Sequence, residues 1–430
     1  MPNATALWPG VSLRCANMSK RVQNNLLYYI PNRGRSKTIL RIPESHSLHI
    51  CPTACGRRNA IRALQNGEKE FLSFLYIGEE DAVSGQYVEN IGDAVEELLE
   101  VLEPVPKAFV LYFNCIDDFL GTDEKALLRE LKSRFPGLYF TVCHINPVAA
   151  DEKVSQGMRK HNQMYGLLEY TEQKENSLNF IGNYVSLDPE SELFTVLKEW
   201  GIDTIRELFT CETFADYQKM ASSRLNLVLM PMGQVAAQNM AAKLGIPYYD
   251  NPVSYDLKEV LQRYQDLAGL LGKPCPDFGG EIRQTLLDII VAREMVGDIP
   301  IVVDSSASMR PFALAKTLLG YGFQVKAVFA PHSPREDAEE RQWLADHQPQ
   351  VTVIYREGVK AVAGYGLDRE CLAIGYDCAF LLKARHFVNM FNDESFYGFH
   401  GIRKLMGLMG KAAARSADWE HLNEKKDEGK

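Results

Sequence analysis

The run Lys107-Ala-Phe-Val-Leu-Tyr-Phe113 has no polar face, stops at Asn114-Cys115 and is followed by a helix-compatible stretch at 124–135. A strand of that kind must be covered on both sides, which is the condition of a parallel sheet between helix layers. The unit recurs along the chain. Phe71-Leu-Ser-Phe-Leu-Tyr-Ile77 precedes a stretch whose apolar residues at 91, 95, 98, 99 and 102 mark one helix face. Strand-like runs follow at 138–144, 178–184, 225–230, 299–304, 324–329 and 350–355, with helical stretches at 192–200, 234–244, 257–271, 311–319 and 401–409. This alternation specifies an α/β chain of three Rossmann-like domains, with parallel sheets flanked by helices. The polar run at 169–177 and the break Gly272-Lys-Pro-Cys-Pro suggest domains at 1–175, 176–290 and 291–414, then a charged tail at 415–430.

Composition narrows the class. A net charge of −9 argues against a broad nucleic-acid surface. No window approaches the roughly 18 apolar residues of a membrane span, and Met1-Pro-Asn-Ala-Thr-Ala-Leu-Trp8 has no export-signal pattern. The expected location is the cytoplasm, where the nine cysteines would be thiols or metal ligands rather than disulfides.

The cysteines are placed for metal chemistry. His49-Ile-Cys-Pro-Thr-Ala-Cys-Gly-Arg-Arg58 follows the β-like Thr38-Ile-Leu-Arg-Ile42 and leads into the helix-compatible 59–64. A strand-to-helix turn leaves N–H groups free and favours a thiolate. Cys15 lies in an irregular segment, and Cys115 directly follows the 107–113 strand. Three segments, each bringing a cysteine to a loop, can surround a cluster. His46, His49, Cys51 and Cys55 could alternatively hold zinc. Cys143, Cys211, Cys275, Cys371 and Cys378 read as small buried residues.

Other strand ends carry polar residues, where open α/β sheets bind ligands. Asp304-Ser-Ser-Ala-Ser308 matches an Asp-x-Ser-x-Ser cation loop, with helix capping as the plainer reading. Gly364-Tyr-Gly366 lacks the third glycine of a dinucleotide fingerprint. Neither a Gly-x-x-x-x-Gly-Lys-Ser/Thr phosphate loop nor a Gly-x-Ser-x-Gly elbow occurs.

With these residues in view, the chain resembles the component 1 family of nitrogenase and nitrogenase-like reductases over nearly its whole length. Cys51-Pro-Thr-Ala-Cys-Gly56 resembles the family's His-Gly-Pro-x-Gly-Cys turn, with Cys55 as the cysteine and Cys51 in place of a glycine. Asn114-Cys-Ile-Asp-Asp-Phe-Leu-Gly-Thr-Asp123 resembles its second cysteine segment, and Cys15-Ala16 stands where its first cluster cysteine would fall. Glu80-Asp-Ala-Val-Ser-Gly85 with Ile91-Gly-Asp-Ala-Val95, Leu225-Asn-Leu-Val-Leu229 and Gly375-Tyr-Asp-Cys-Ala379 are similar to further family segments, in the family's order.

The resemblance implies an iron–sulfur cluster, [4Fe-4S] or P-cluster-like, at a subunit interface, with Cys15, Cys55 and Cys115 as this chain's ligands and Cys51 as an alternate. It implies a homodimer or a heterotetramer with a related subunit, an ATP-hydrolysing iron protein as electron donor, and a small-molecule substrate. Gln234, Ser306, Asn392 and Asp393 are the substrate-cleft candidates, chosen by strand-end position. Met230 stands where the nitrogenase catalytic subunit has the cysteine that anchors its large cofactor, and Met390-Phe-Asn-Asp-Glu394 lacks the opposing histidine. No iron–molybdenum cofactor is therefore expected. A nitrogenase-like reductase subunit is the first reading, and a non-catalytic scaffold for metal-cluster assembly the second.

Overall fold

The alternation read from sequence builds three sheets flanked by helices. The computed structural model describes residues 26–28, 41–145, 154–330, 337–354, 367–393 and 395–419. The chain divides into two compact units, one drawn from 1–184, 206–226 and 232–248, the other from 185–205, 227–231 and 249–430.

In the first unit the strands are β1 (Leu26–Tyr28), β2 (Ser45–Cys51), β3 (Leu72–Tyr76), β4 (Ala108–Asn114) and β5 (Tyr139–Ile145), in the order β1-β3-β2-β4-β5. β2 runs parallel to both β3 and β4, β4 is parallel to β5, and β1 is antiparallel to β3. Strand alternation sends Leu48, Ile50, Phe109, Leu111 and Phe113 to one face. There they pack on Ile91, Val95 and Leu98 of the helix Gln86–Val101 and on Leu127 and Leu131 of the helix Glu124–Arg134. The other face is covered twice. Ala108, Val110 and Cys143 meet Met164 and Tyr165 of the helix Gln156–Tyr165. Cys51 and Phe74 meet Ala63 of the helix Thr53–Asn66.

A four-stranded sheet has the order β7-β6-β8-β9, from β6 (Glu175–Ile181), β7 (Thr204–Arg206), β8 (Ser223–Val228) and β9 (Tyr248–Asp250). The last sheet lies in the second unit and is parallel throughout. Its order is β12-β11-β10-β13-β14, from β10 (Ile301–Asp304), β11 (Val325–Phe329), β12 (Thr352–Ile354), β13 (Leu372–Ile374) and β14 (His386–Val388).

Two expectations shift. Of the β-like run Thr38–Ile42, residues 38–40 lie outside the described residues and 41–42 are not in a strand; the strand is Ser45–Cys51, so His49-Ile-Cys51 belongs to the strand itself. The longest described helix, Gly279–Val296, stands where no element was expected, because apolar residues occur all round it and leave no periodic signal. Among the described residues no helix is long and apolar enough to cross a membrane.

In the second unit Glu192 organises the start of the helix Gly398–Ala413. Its carboxylate accepts from the Phe399 and His400 N–H groups at 2.7 and 3.0 Å and from the Tyr264 hydroxyl at 2.8 Å. Nearby, the Lys404 ammonium lies 2.7 Å from Asp188 and, ahead of contributions from the Glu190 N–H and His400, holds that carboxyl at about 2 instead of 3.8. A depressed carboxyl contributes stability that is complete above its unfolded value and is lost as pH falls through the folded one. Asp188→Asn should therefore lower the melting temperature at pH 7 and leave it nearly unchanged at pH 2. Thermal unfolding across pH 2–7 checks this, and an equal loss at both ends would refute it.

Candidate metal edge of the first sheet

β2 and β4 are neighbours, and the chain leaves them in opposite directions. After β2 the helix Thr53–Asn66 covers the face that carries Cys51 and Phe74. After β4 the helix Glu124–Arg134 covers the face that carries Leu111 and Phe113. Adjacent parallel strands whose connections part in this way leave a crevice beyond their carboxyl ends. Ile50 pairs with Phe113, so Cys51 ends β2 level with Asn114, and Cys115 follows at once. The turn at Pro52 then starts a helix at Thr53, with Cys55 in its first turn.

The three thiols differ in state. Cys55 is exposed and Cys115 is half-buried. Cys51 is buried against Phe74, Leu72 and Ala63, and burial first, then its neighbour Cys55, pushes its thiol up to about 12. Gly56 makes this packing possible: a Cβ there would come within 2.9 Å of the Tyr76 ring and 3.1 Å of Cys51 Sγ. Asn114, 8% exposed, has no hydrogen-bond partner for either side-chain amide atom among the described residues. Cys15 lies outside the described residues.

The short helix Cys115–Leu120 is pinned by polar contacts that sequence patterning did not single out. The Tyr87 hydroxyl donates to Asp117 at 2.7 Å and lies 2.8 Å from the Thr122 hydroxyl, which itself contacts Asp117. His144, at the end of β5, reaches Asp118 at 2.7 Å through Nδ1 and Glu124 at 2.9 Å through Nε2. A signal was available: Asp117, Asp118, Thr122 and Glu124 crowd the residues after Cys115.

The zinc alternative fails on strand geometry. His46 and His49 are three residues apart on β2 and so point to opposite faces. His46 meets Ser73 at 2.8 Å on one side, while His49 stacks on Tyr112 at 4.7 Å on the other. Burial lowers them to about 3 and about 4, with smaller contributions from His49 and Arg41 on the first and Lys160 on the second. Among the described residues, the His, Cys, Asp and Glu set with ligand atoms all within 4.8 Å is Asp188, Glu190 and His400, where the Lys404 ammonium already contacts Asp188.

The residues named as substrate-cleft candidates lie in different surroundings. Gln234 opens the helix Gln234–Leu244 in the first unit. In the second unit the Ser306 hydroxyl accepts from the Tyr376 N–H at 3.1 Å, and its carbonyl accepts from the Asn392 N–H at 2.9 Å. Asp393 is buried. One of its oxygens accepts from Tyr255, the other from the Ser308 hydroxyl and the Met309 N–H, at 2.9 to 3.0 Å. Asp304 is likewise occupied by the Ser306 and Cys378 N–H groups. The Asp-x-Ser-x-Ser loop is therefore a backbone cap. Gly375 (φ 109°) is required beside it, since a Cβ would fall 2.6 Å from that of Asp304.

Comparison with known proteins gives this geometry a family. The model of the nitrogenase component 1 type oxidoreductases matches residues 38–362, about three quarters of the chain. The chain belongs to that family. A solved structure described as nitrogenase Cp1 at pH 6.5 aligns with a TM-score of 0.68 and 16% identity, covering 88% of this chain and 90% of that one. Nitrogenase Cp1 at pH 5 aligns at 0.59 and 15%, covering 88% and 86%. At these identities the likeness establishes the component 1 fold. A curated relative, the nitrogenase iron-molybdenum cofactor biosynthesis protein NifE of Clostridium pasteurianum, is 26% identical over 217 residues, 48% of this chain. The chain spans about half the length of that relative, 46%.

Alkylation of the metal-free protein should separate the thiols, because the thiolate is the nucleophile. Cys55 should label fastest, Cys115 more slowly, and Cys51 only on unfolding. Mass-spectrometric peptide mapping over time reads the order, and early labelling of Cys51 would contradict its burial.

Proposed function

We propose that this component 1 protein is the subunit of a nitrogenase-like reductase that shares an iron–sulfur cluster with a partner chain. Such a cluster, held by this chain's cysteines, would supply electron transfer from an ATP-hydrolysing iron protein to a small-molecule substrate. The observation that carries the reading is that β2 and β4 end level with each other, Cys115 directly following β4 and Cys55 lying in the first turn of the helix after β2, with the amide of Asn114 unpartnered among the described residues. The donor set fits the group, since an exposed and a half-buried soft thiol and a buried N–H with no acceptor among the described residues are what a sulfur-rich cluster uses. Cys55 and Cys115 would hold iron as thiolates, Cys15 would be this chain's third ligand, and Asn114 would donate to a cluster or cysteine sulfur. When bound, such a cluster supplies one-electron transfer at a potential set by hydrogen bonds and burial. The contacts of Asp117 with Tyr87 and Thr122 fix the helix that carries Cys115, and Gly56 lets the Cys55 helix lie against Phe74 and Tyr76.

A partner chain is supported by Phe119 and Leu120, large apolar side chains exposed on the same short helix as Cys115. Absence of an iron–molybdenum cofactor is supported by Met230, a buried thioether where the catalytic nitrogenase subunit carries its anchoring cysteine. We read the protein as cytoplasmic, with the three sheets heading domains at 1–175, 176–290 and 291–414 and, within the second unit, Ser306 and Asn392 near the substrate. The similarity to a protein named for cofactor biosynthesis favours a second reading, a scaffold on which a cluster is assembled and then handed on.

Anaerobically purified protein should contain iron and acid-labile sulfide. Cys15→Ala, Cys55→Ala and Cys115→Ala should each lose most of the iron, while Cys143→Ala and Cys211→Ala keep it. Full iron in both Cys55→Ala and Cys115→Ala, or stoichiometric zinc without iron, would overturn the assignment. Repeated electron consumption with iron protein and ATP would mark the reductase, and a single cluster transfer the scaffold.

A further inference from the structure

The helix Gly279–Val296 is apolar on both sides. Its inward face, Thr285, Ile289, Ala292 and Val296, is buried, and the helix packs on Gly398–Ala413. On the outward face Leu286, Leu287, Ile290 and Val291 are each 47–56% exposed. A helix apolar all round belongs inside a core or an interface, and this one has a core on one side alone. With 18 residues it is about 27 Å long, enough for four turns of contact.

The order of residues on that face identifies what covers it. Arg283, Leu287, Ile290 and Glu294 follow one another at spacings of four, three and four, so they form a single stripe along the helix. A two-fold axis midway along the stripe, between the levels of residues 288 and 289, pairs two antiparallel copies of it. Arg283 then faces Glu294, and Leu287 faces Ile290. Both ends of the stripe become opposite-charge pairs and its centre becomes apolar on apolar. Arg283 and Glu294 have no ion-pair partner among the described residues, and both are exposed. Self-complementarity of this kind is what an isologous contact needs, because each residue must meet its mirror position on the same surface.

We infer that the outward face of the 279–296 helix is a homodimer interface, occupied by the same helix of a second copy of this chain. The inference does not rest on the cluster reading, since the stripe contains no cysteine and needs no metal. It selects self-association over docking of an unlike chain, because an unlike chain would not require the stripe to complement itself.

The test is sedimentation and light scattering of the full chain. Wild type should be a dimer at about 20 μM, near the micromolar range of ordinary interfaces. Leu287→Glu and Ile290→Glu should be monomers with unchanged circular dichroism and melting temperature, since both side chains are already half in water. Arg283→Glu alone and Glu294→Arg alone should each weaken association about tenfold, because each places two like-charge pairs across the axis. Mixing the two single variants should restore association to within about twofold of wild type, as every cross-axis pair is then opposite in charge. A monomeric wild type, a dimer untouched by Ile290→Glu, or mixing without recovery would each overturn the proposal.

Discussion

The backbone pairing of β2 with β4, from Ser45 opposite Ala108 to Ile50 opposite Phe113, is the constraint on which the first unit depends. It sets the core and the candidate site together. In this register Leu48 and Ile50 share a face with Phe109, Leu111 and Phe113, and the two strands end level with each other. A slip of one residue would turn the apolar set of one strand to the opposite face and misalign the strand ends. Because the chain departs to opposite faces after β2 and β4, the crevice beyond them follows from the connectivity and needs no loop of special shape.

Much of this was legible in the sequence, for reasons that differ by element. β4 declared itself because it is apolar on both faces, and the helix Gln86–Val101 because Ile91, Val95 and Leu98 repeat on one side and all three are buried. Cys115 could be placed because a strand end is a local event. The helix Gly279–Val296 was illegible for the opposite reason. Periodicity reports a contrast between faces, and a helix with a core on one side and exposed Leu287 and Ile290 on the other has none. β13 and β14, with three residues each, are too short to alternate, and pairing with neighbours defines them. The His46-x-x-His49 spacing looked like a ligand pair until strand geometry separated the two rings.

Polar residues at strand ends serve two ends, and hydrogen-bond accounting tells them apart. Asp304 and Asp393 are buried carboxylates at positions where open sheets bind ligands, yet both oxygens of each are occupied by backbone or hydroxyl donors. Such groups close loops. Asn114 occupies a comparable position on β4 and has neither its donor nor its acceptor used among the described residues. Leaving a buried amide unpaired costs on the order of 1–3 kcal/mol, a cost usually met by something that binds there. The contrast is between residues of similar placement, so it rests on the partners each has, and sequence position alone could not have revealed it.

The same accounting chooses between Cys51 and Cys55. The two are four residues apart, and both sit beside the crevice, but a metal is bound by thiolate. Cys51 is packed under the helix Thr53–Asn66, with Phe74 and Leu72 beneath it and Gly56 above. Its thiol is held neutral well past physiological pH. To present its sulfur outward it would have to lift that helix off β3 and uncover Phe74, a fully buried side chain. Fully exposing a ring of that size costs about 1.5–3 kcal/mol before any backbone change. Cys55 is already exposed in the first turn of the helix, where the unpaired N–H groups favour negative charge. A buried side chain thus stands where the family carries a glycine, and of the two thiols at this turn Cys55 is the one exposed and beside free helix N–H groups.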